Sequence, residues 1–104
     1  MIHVKAFIET HLQDLHSPKD VARGLNISYE TLRKAFRREE KTTLGRYILL
    51  RRIERMKRLL ARTDLYHYEI CEAVGFSNEA HGARVFKRET GMTMSAYRAQ
   101  QRGH

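Results

Sequence analysis

The chain carries one cysteine, one proline and no tryptophan in 104 residues. A single thiol, Cys71, cannot close an intrachain disulfide, which excludes a cross-linked scaffold. No apolar run approaches the ~20 residues needed to span a bilayer, and no segment has the order of a signal peptide. Convincing strand-like alternation of apolar and polar positions is lacking as well. Acidic residues are outnumbered, 12 Asp plus Glu against 20 Lys plus Arg, giving a formal charge of +8. The isoelectric point near 10.1 suits a polyanionic partner: DNA, RNA or an acidic membrane surface. The expected setting is a soluble, reducing compartment.

What the chain does have is a repetition. FRREEKTTLGRY at 36–47 is echoed by FKRETGMTMSAY at 86–97, and Phe36, Arg37, Arg38, Glu39, Thr43 and Tyr47 match Phe86, Lys87, Arg88, Glu89, Thr93 and Tyr97. Every pair lies fifty positions apart (86 − 36 = 50). Upstream, VARGLNIS at 21–28 resembles ICEAVGFS at 70–77, with Ser28 and Ser77 forty-nine apart (77 − 28 = 49), so the second copy has gained one residue. Two copies are too few for a stacked solenoid and fit a paired module inside one small domain, or two very small domains.

Helical periodicity runs through almost the whole chain and predicts an all-α fold of about seven helices. The first covers roughly 2–12, with Val4, Phe7, Ile8 and Leu12 on one face. The second opens at SPKD, where Ser17 can cap, Pro18 takes the first helical position and Asp20 lies in the first turn. The third runs from a cap at Ser28 to about Glu40 and is expected to bury Leu32, Ala35 and Phe36. A long fourth helix spans about 43–62. Leu49, Ile53, Met56 and Leu60 form its apolar stripe, while Arg51, Arg55, Arg58 and Arg62 repeat that spacing on the opposite side. The fifth spans about 67–74, the sixth about 78–90 with Ser77 as cap, and the seventh about 94–101 after Thr93. In both copies a helix ends on a buried Phe, turns, and restarts at a Thr cap. Tyr47 and Tyr97 are placed to pack back on Phe36 and Phe86.

Before each of these clamps stands a short helix, a tight turn and a serine-initiated helix, which is a helix-turn-helix pattern. Ala22 and Cys71 are small enough for a close helix crossing, and Asn26 and Gly75 suit a left-handed turn residue. Ile27 and Phe76 are expected to point inward. The order VARGLNIS, FRREEKTTLGRY, RRIERMKRLL, EICEAVGFSNE, RVFKRETGMTMSAYR resembles the DNA-binding domain of the AraC/XylS family of bacterial transcription regulators across roughly residues 5–98. The resemblance implies two helix-turn-helix units joined by a long helix, with two recognition helices in successive major grooves. The expected divisions are a first subdomain at about 1–42, a linker helix at about 43–62 and a second subdomain at about 63–104. A connector of about twenty residues is ~30 Å long, close to the ~34 Å between successive groove segments on one side of the duplex.

On the third helix the apolar side leaves Glu30, Arg33, Lys34 and Arg37 facing outward. On the sixth, Val85 and Phe86 mark the core, so Ala80, His81, Arg84 and Lys87 project away. Family position implies base reading by Glu30, Arg33, Lys34 and Arg84. Arg33 suits bidentate contact with guanine, Glu30 an acceptor for cytosine N4, and Ala80 a thymine methyl. His81, grouped with these readers, is better suited to backbone or water. Ser28, Arg37, Arg38, Arg55, Ser77, Lys87 and Arg88 are the expected backbone contacts. Departures from the family pattern fall at Lys41, His67, Met94 and above all Gly82. Gly82 faces the core, so it is expected to leave volume unfilled, with Gly82→Ala gaining up to ~1 kcal/mol.

No glycine-rich phosphate loop or catalytic constellation is evident. His67 and Cys71 stand at i, i+4, but two ligands do not make a structural zinc site. The expectation is a non-enzyme without cofactor or metal, monomeric as an isolated domain, binding double-stranded DNA in the bacterial cytoplasm and nucleoid. RNA polymerase is a candidate second partner, and no membrane is involved. The rival reading is a protein-interaction module or nonspecific nucleic-acid binder with an acidic partner, favoured by Gly82 and by the modest readers Ala80 and His81. A short chain of this kind is either a complete small regulator or part of a larger one.

Overall fold

A computed structural model of the chain describes residues 1–103, and among them every regular element is helical. In chain order these are α1 (Ile2–His11), a 3-10 turn (Leu12–Asp14), α2 (Pro18–Gly24), α3 (Tyr29–Glu40), α4 (Leu44–Arg62), α5 (His67–Ala73), α6 (Glu79–Thr90) and α7 (Met94–Gln101). The seven expected α-helices are all present among the described residues. Two compact units divide the chain, Met1–Arg51 and the part from Arg52 onward, so the boundary falls inside α4.

The first unit closes over Val4, Ile8, Leu12, Leu15, Val21, Ala22, Leu32, Phe36, Leu44 and Ile48. In the second, Ile53, Met56 and Leu60 from α4 are buried, as are Ile70, Cys71, Val74, Phe76, Val85, Phe86 and Met94. One helix thus serves both cores. The expected stripe through Leu49 is corrected accordingly: Leu49 is only half-buried, and Leu44 and Ile48 supply the N-terminal half of α4's buried side. Ala35 is likewise half-buried.

Local chemistry sets the helix ends. Ser28 accepts from the Thr31 amide at 3.4 Å, Thr43 from Arg46 at 3.1 Å and Thr93 from Ala96 at 3.1 Å, so three expected caps form. At α2 the Asp20 carboxylate accepts from the backbone N–H of His16 at 2.8 Å and of Ser17 at 3.3 Å. The expected cap at Ser77 does not form. Asn78 takes that role, accepting from the His81 amide at 2.8 Å. Asn78 lies fifty residues beyond Ser28 (78 − 28 = 50), so Ser77 is the extra residue of the second copy and lies in the turn.

The two turns share one backbone solution. Asn26 has φ 56° and Gly75 has φ 101°, both left-handed. The Ile27 amide donates to Ala22 O at 3.0 Å and the Phe76 amide to Cys71 O at 2.9 Å, closing the same six-residue loop. After α3 and α6 the left-handed position recurs at Lys41 (φ 62°) and Gly91 (φ 79°). The clamps form as expected, with Phe36 and Tyr47 ring centroids 5.3 Å apart and those of Phe86 and Tyr97 5.7 Å apart.

Side-chain filling of the two turns differs. Ile27 is 43% exposed, against the expectation, whereas Phe76 is buried. Gly82 explains the difference. A Cβ there would stand 2.5 Å from Cys71 Sγ and 3.2 Å from Phe76 Cδ2, so the volume expected to be empty is already filled. The matching position in the first copy is Leu32 (82 − 50 = 32), which is buried in its own core. The first unit fills the crossing from its second helix of the pair; the second unit fills it from Cys71 and Phe76.

Candidate nucleic-acid interface

Leu32 and Phe36 bury one side of α3 and leave Glu30, Arg33, Lys34, Arg37 and Arg38 exposed on the rest of the helix, with the cap residue Ser28 exposed at its start. Glu30 and Arg33, one turn apart, are joined as a fork: Arg33 Nε donates to Oε1 at 3.2 Å and Nη2 to Oε2 at 3.0 Å. The Arg33 hydrogen bonds hold the Glu30 carboxyl below its usual range, and Glu30 in turn raises the Arg33 guanidinium. Both side chains are open to solvent, at 46% and 63% exposure, so the pair orients Arg33 more than it stabilises the fold. A groove of about 400 Å³ flanks this helix, lined by Pro18, Tyr29, Arg33, Arg37 and the start of α4.

On α6, Gly82, Val85 and Phe86 are buried, leaving Ala80, His81, Arg84, Lys87 and Arg88 exposed; Ser77 is exposed in the preceding turn. The His81 ring meets the Phe76 ring edge-on with centroids 5.4 Å apart, so its outward position is anchored from beneath. Arg88 Nε reaches the neighbouring Glu89 at 3.2 Å, and Arg38 lies 3.9 Å from Glu39. The outer face of α6 borders a groove of about 600 Å³ whose lining includes Ala80, Ala83, Arg84, Lys87 and Met94.

The arginines of α4 do not form the uniform cationic face that their spacing suggests. Arg51 Nε donates to Glu9 at 2.6 Å, Arg55 is half-buried, and Arg58 and Arg62 are exposed. Arg52 was not singled out by the pattern. Its guanidinium lies 5.7 Å from the Phe76 ring centroid, and burial lowers its pKa.

Sequence reasoning also passed over Arg98 and Arg102, which bind the C-terminal end of α4. Arg98 Nε donates to Leu60 O at 3.0 Å and its Nη2 to Thr63 O at 3.2 Å. Arg102 donates to Asp64 Oδ1 at 2.7 Å and to Thr63 O. The signal available was their spacing of four residues, Arg98 on α7 and Arg102 at its C-terminal cap; their target was not legible. Among the described residues no three metal-ligating side chains come together, and no helix is long and apolar enough to cross a membrane.

Residues 21–100 match the family model described as a helix-turn-helix domain. The Msm operon regulatory protein of Streptococcus mutans serotype c is 31% identical over 103 residues, covering 92% of this chain and 37% of that protein. The chain spans about a third of the length of the curated relatives it matches. A transcriptional regulator of the AraC-type DNA-binding class from Chromobacterium violaceum superposes with a TM-score of 0.85 at 25% identity, covering 96% of this chain and 89% of that one. The DNA-binding domain of the global transcriptional factor AdpA, solved in complex with a target DNA, superposes with a TM-score of 0.88 at 25% identity, covering 97% and 91%. With two matched helix-turn-helix units and these relatives, the chain belongs to the AraC-type helix-turn-helix family, a class of transcription-regulator DNA-binding domains and not of enzymes.

Proposed function

We propose that the chain recognises double-stranded DNA sequence-specifically as part of a bacterial transcription regulator, with α3 and α6 reading successive major-groove segments and α4 connecting them. The observation that carries this is the repeated presentation of cations. Lys34, Arg37 and Arg38 on α3 recur fifty positions later as Arg84, Lys87 and Arg88 on α6, and all six are exposed. The relative AdpA domain was solved with its target DNA, which supports the same use here. Arg33 and Arg84 are assigned to bases, with Glu30, Lys34, Ala80 and His81 beside them. Ser28, Arg37, Arg38, Arg55, Ser77, Lys87 and Arg88 are assigned to the backbone. The setting is the cytoplasm, RNA polymerase is the second macromolecule such a regulator acts upon, and one chain with two readers needs no dimer.

Selection of bound duplexes from a random pool tests this. One asymmetric motif should be enriched. Arg33→Ala and Arg84→Ala should each lose about 5- to 150-fold discrimination at one base pair. Lys87→Ala should weaken all sequences alike and make the salt slope shallower by about one unit. Salt-sensitive binding without an enriched motif would mean a nonspecific polyanion binder.

A further inference from the structure

We propose that the outer face of α6 carries a thymine-methyl site, so that the part of the target read by the second unit contains a short run of thymines on one strand. The proposal rests on sequence-specific recognition as set out above. Its first support is positional. At the fifty-residue offset, three cationic positions of α3 keep their charge on α6, while Glu30 and Arg33 become Ala80 and Ala83. Two of them, Arg37/Lys87 and Arg38/Arg88, serve what every duplex segment offers, its phosphates, while Lys34/Arg84 keep a cation beside the bases. Positions that differ serve what distinguishes one segment from another.

The geometry gives the difference a chemical meaning. On α3 this turn is occupied by the forked Glu30–Arg33 pair, whose donors and acceptors suit a polar base edge. On α6 the two matched positions carry only methyl groups, next to exposed His81 and Arg84, and border the groove of about 600 Å³. The methyl groups of Ala80 and Ala83, with Met94 beside them, provide its apolar part, while Arg84 and Lys87 provide charge. The charge suits a polyanion. The alanine side chains carry no hydrogen-bonding group, and the one apolar feature that a base pair displays in the major groove is the thymine C5-methyl. Ala80 and Ala83 are separated by about 4.5 Å along the helix at 1.5 Å per residue, against a rise of ~3.4 Å per base along a strand. The two methyls therefore suit thymines on neighbouring base pairs.

Replacing thymine by uracil deletes that methyl and leaves every hydrogen-bonding group in place. The selected duplex is titrated with the unaltered chain, one thymine exchanged for uracil at a time. The half belonging to α6 is identified as the half whose preference changes in Arg84→Ala. One or two exchanges in that half should each weaken binding about fourfold, the loss expected for one buried methyl-sized group. Ala80→Glu combined with Ala83→Arg, which writes the α3 pair onto α6, should exchange uracil sensitivity for a guanine preference. Thermal melting establishes that the double variant is folded. Indifference to uracil throughout the α6 half overturns the thymine site and leaves sequence-specific recognition standing. A selection that enriches no motif overturns both.

Discussion

Gly82 contributes no side chain of its own, yet it fixes how closely α5 and α6 approach. Its wheel position was legible in the sequence, since it falls between the directions of Val85 and Phe86. What occupies the space was not, because Cys71 and Phe76 belong to the preceding helix and turn and reach Gly82 only through the fold. The consequence reverses the sign of the sequence-based expectation. Gly82→Ala gains ~1 kcal/mol of helix propensity, but inserting a methyl into a filled crossing costs about 1–3 kcal/mol. The variant should melt below the parent chain. Cys71→Ala removes the atom 2.5 Å from the new Cβ, so adding it to Gly82→Ala should recover part of the loss. A higher melting temperature for Gly82→Ala alone would show that the crossing opens freely. Burial pushes the Cys71 thiol up to about 11, which fits a packed thiol and not a reactive one.

Helix ends decide how much of each element could be read in advance. Thr43 and Thr93 were legible as caps because each follows a polar turn and precedes an apolar period, and both accept the expected amide. Ser77 and Asn78 are adjacent residues of equally good capping type, and only the repeat offset separates them: fifty selects Asn78 and forty-nine selects Ser77. Asn78→Ala should therefore cost about 1 kcal/mol, while Ser77→Ala changes stability by roughly 0.5 kcal/mol or less. A loss for Ser77→Ala with none for Asn78→Ala would return the cap to Ser77. Arg98 is the opposite case, since nothing local points to Leu60 and Thr63, thirty-eight and thirty-five residues away. Two charge-assisted bonds to carbonyls at the negative end of α4 make Arg98→Ala a loss of about 1.5–3 kcal/mol in chemical denaturation. Arg98→Lys should recover only part, because an ammonium cannot span both carbonyls as a guanidinium does. At the start of α2, the His16 and Ser17 amides, together with Arg23, hold the Asp20 carboxyl below its ordinary value of 3.8. Its contribution is present above that value and is lost as pH falls through the lower folded value. Asp20→Asn should flatten that part of the acid-unfolding curve.

At the scale of the whole chain, the net charge of +8 is a statement about association, and the repeat determines how it is used. Neighbouring acids are present even on the basic helices, as the Glu30–Arg33 and Arg88–Glu89 pairs show, so the number of phosphates engaged is smaller than the count of cations. If Arg37, Arg38, Arg55, Lys87 and Arg88 each meet one phosphate, log K should fall against log salt with a slope of roughly −4.5. A slope near −8 would mean that the whole excess charge takes part. The proposed reading faces differ at Glu30/Ala80 and Arg33/Ala83, and α4 contributes residues to both units. On the proposed reading one chain covers an asymmetric site, and stoichiometric footprinting should show two protected segments about one helical turn apart. Arg84→Ala should weaken protection of one segment and Arg33→Ala the other. A single protected segment, lost in one of these variants and kept in the other, would mean that only one unit docks and that the second reader serves another partner.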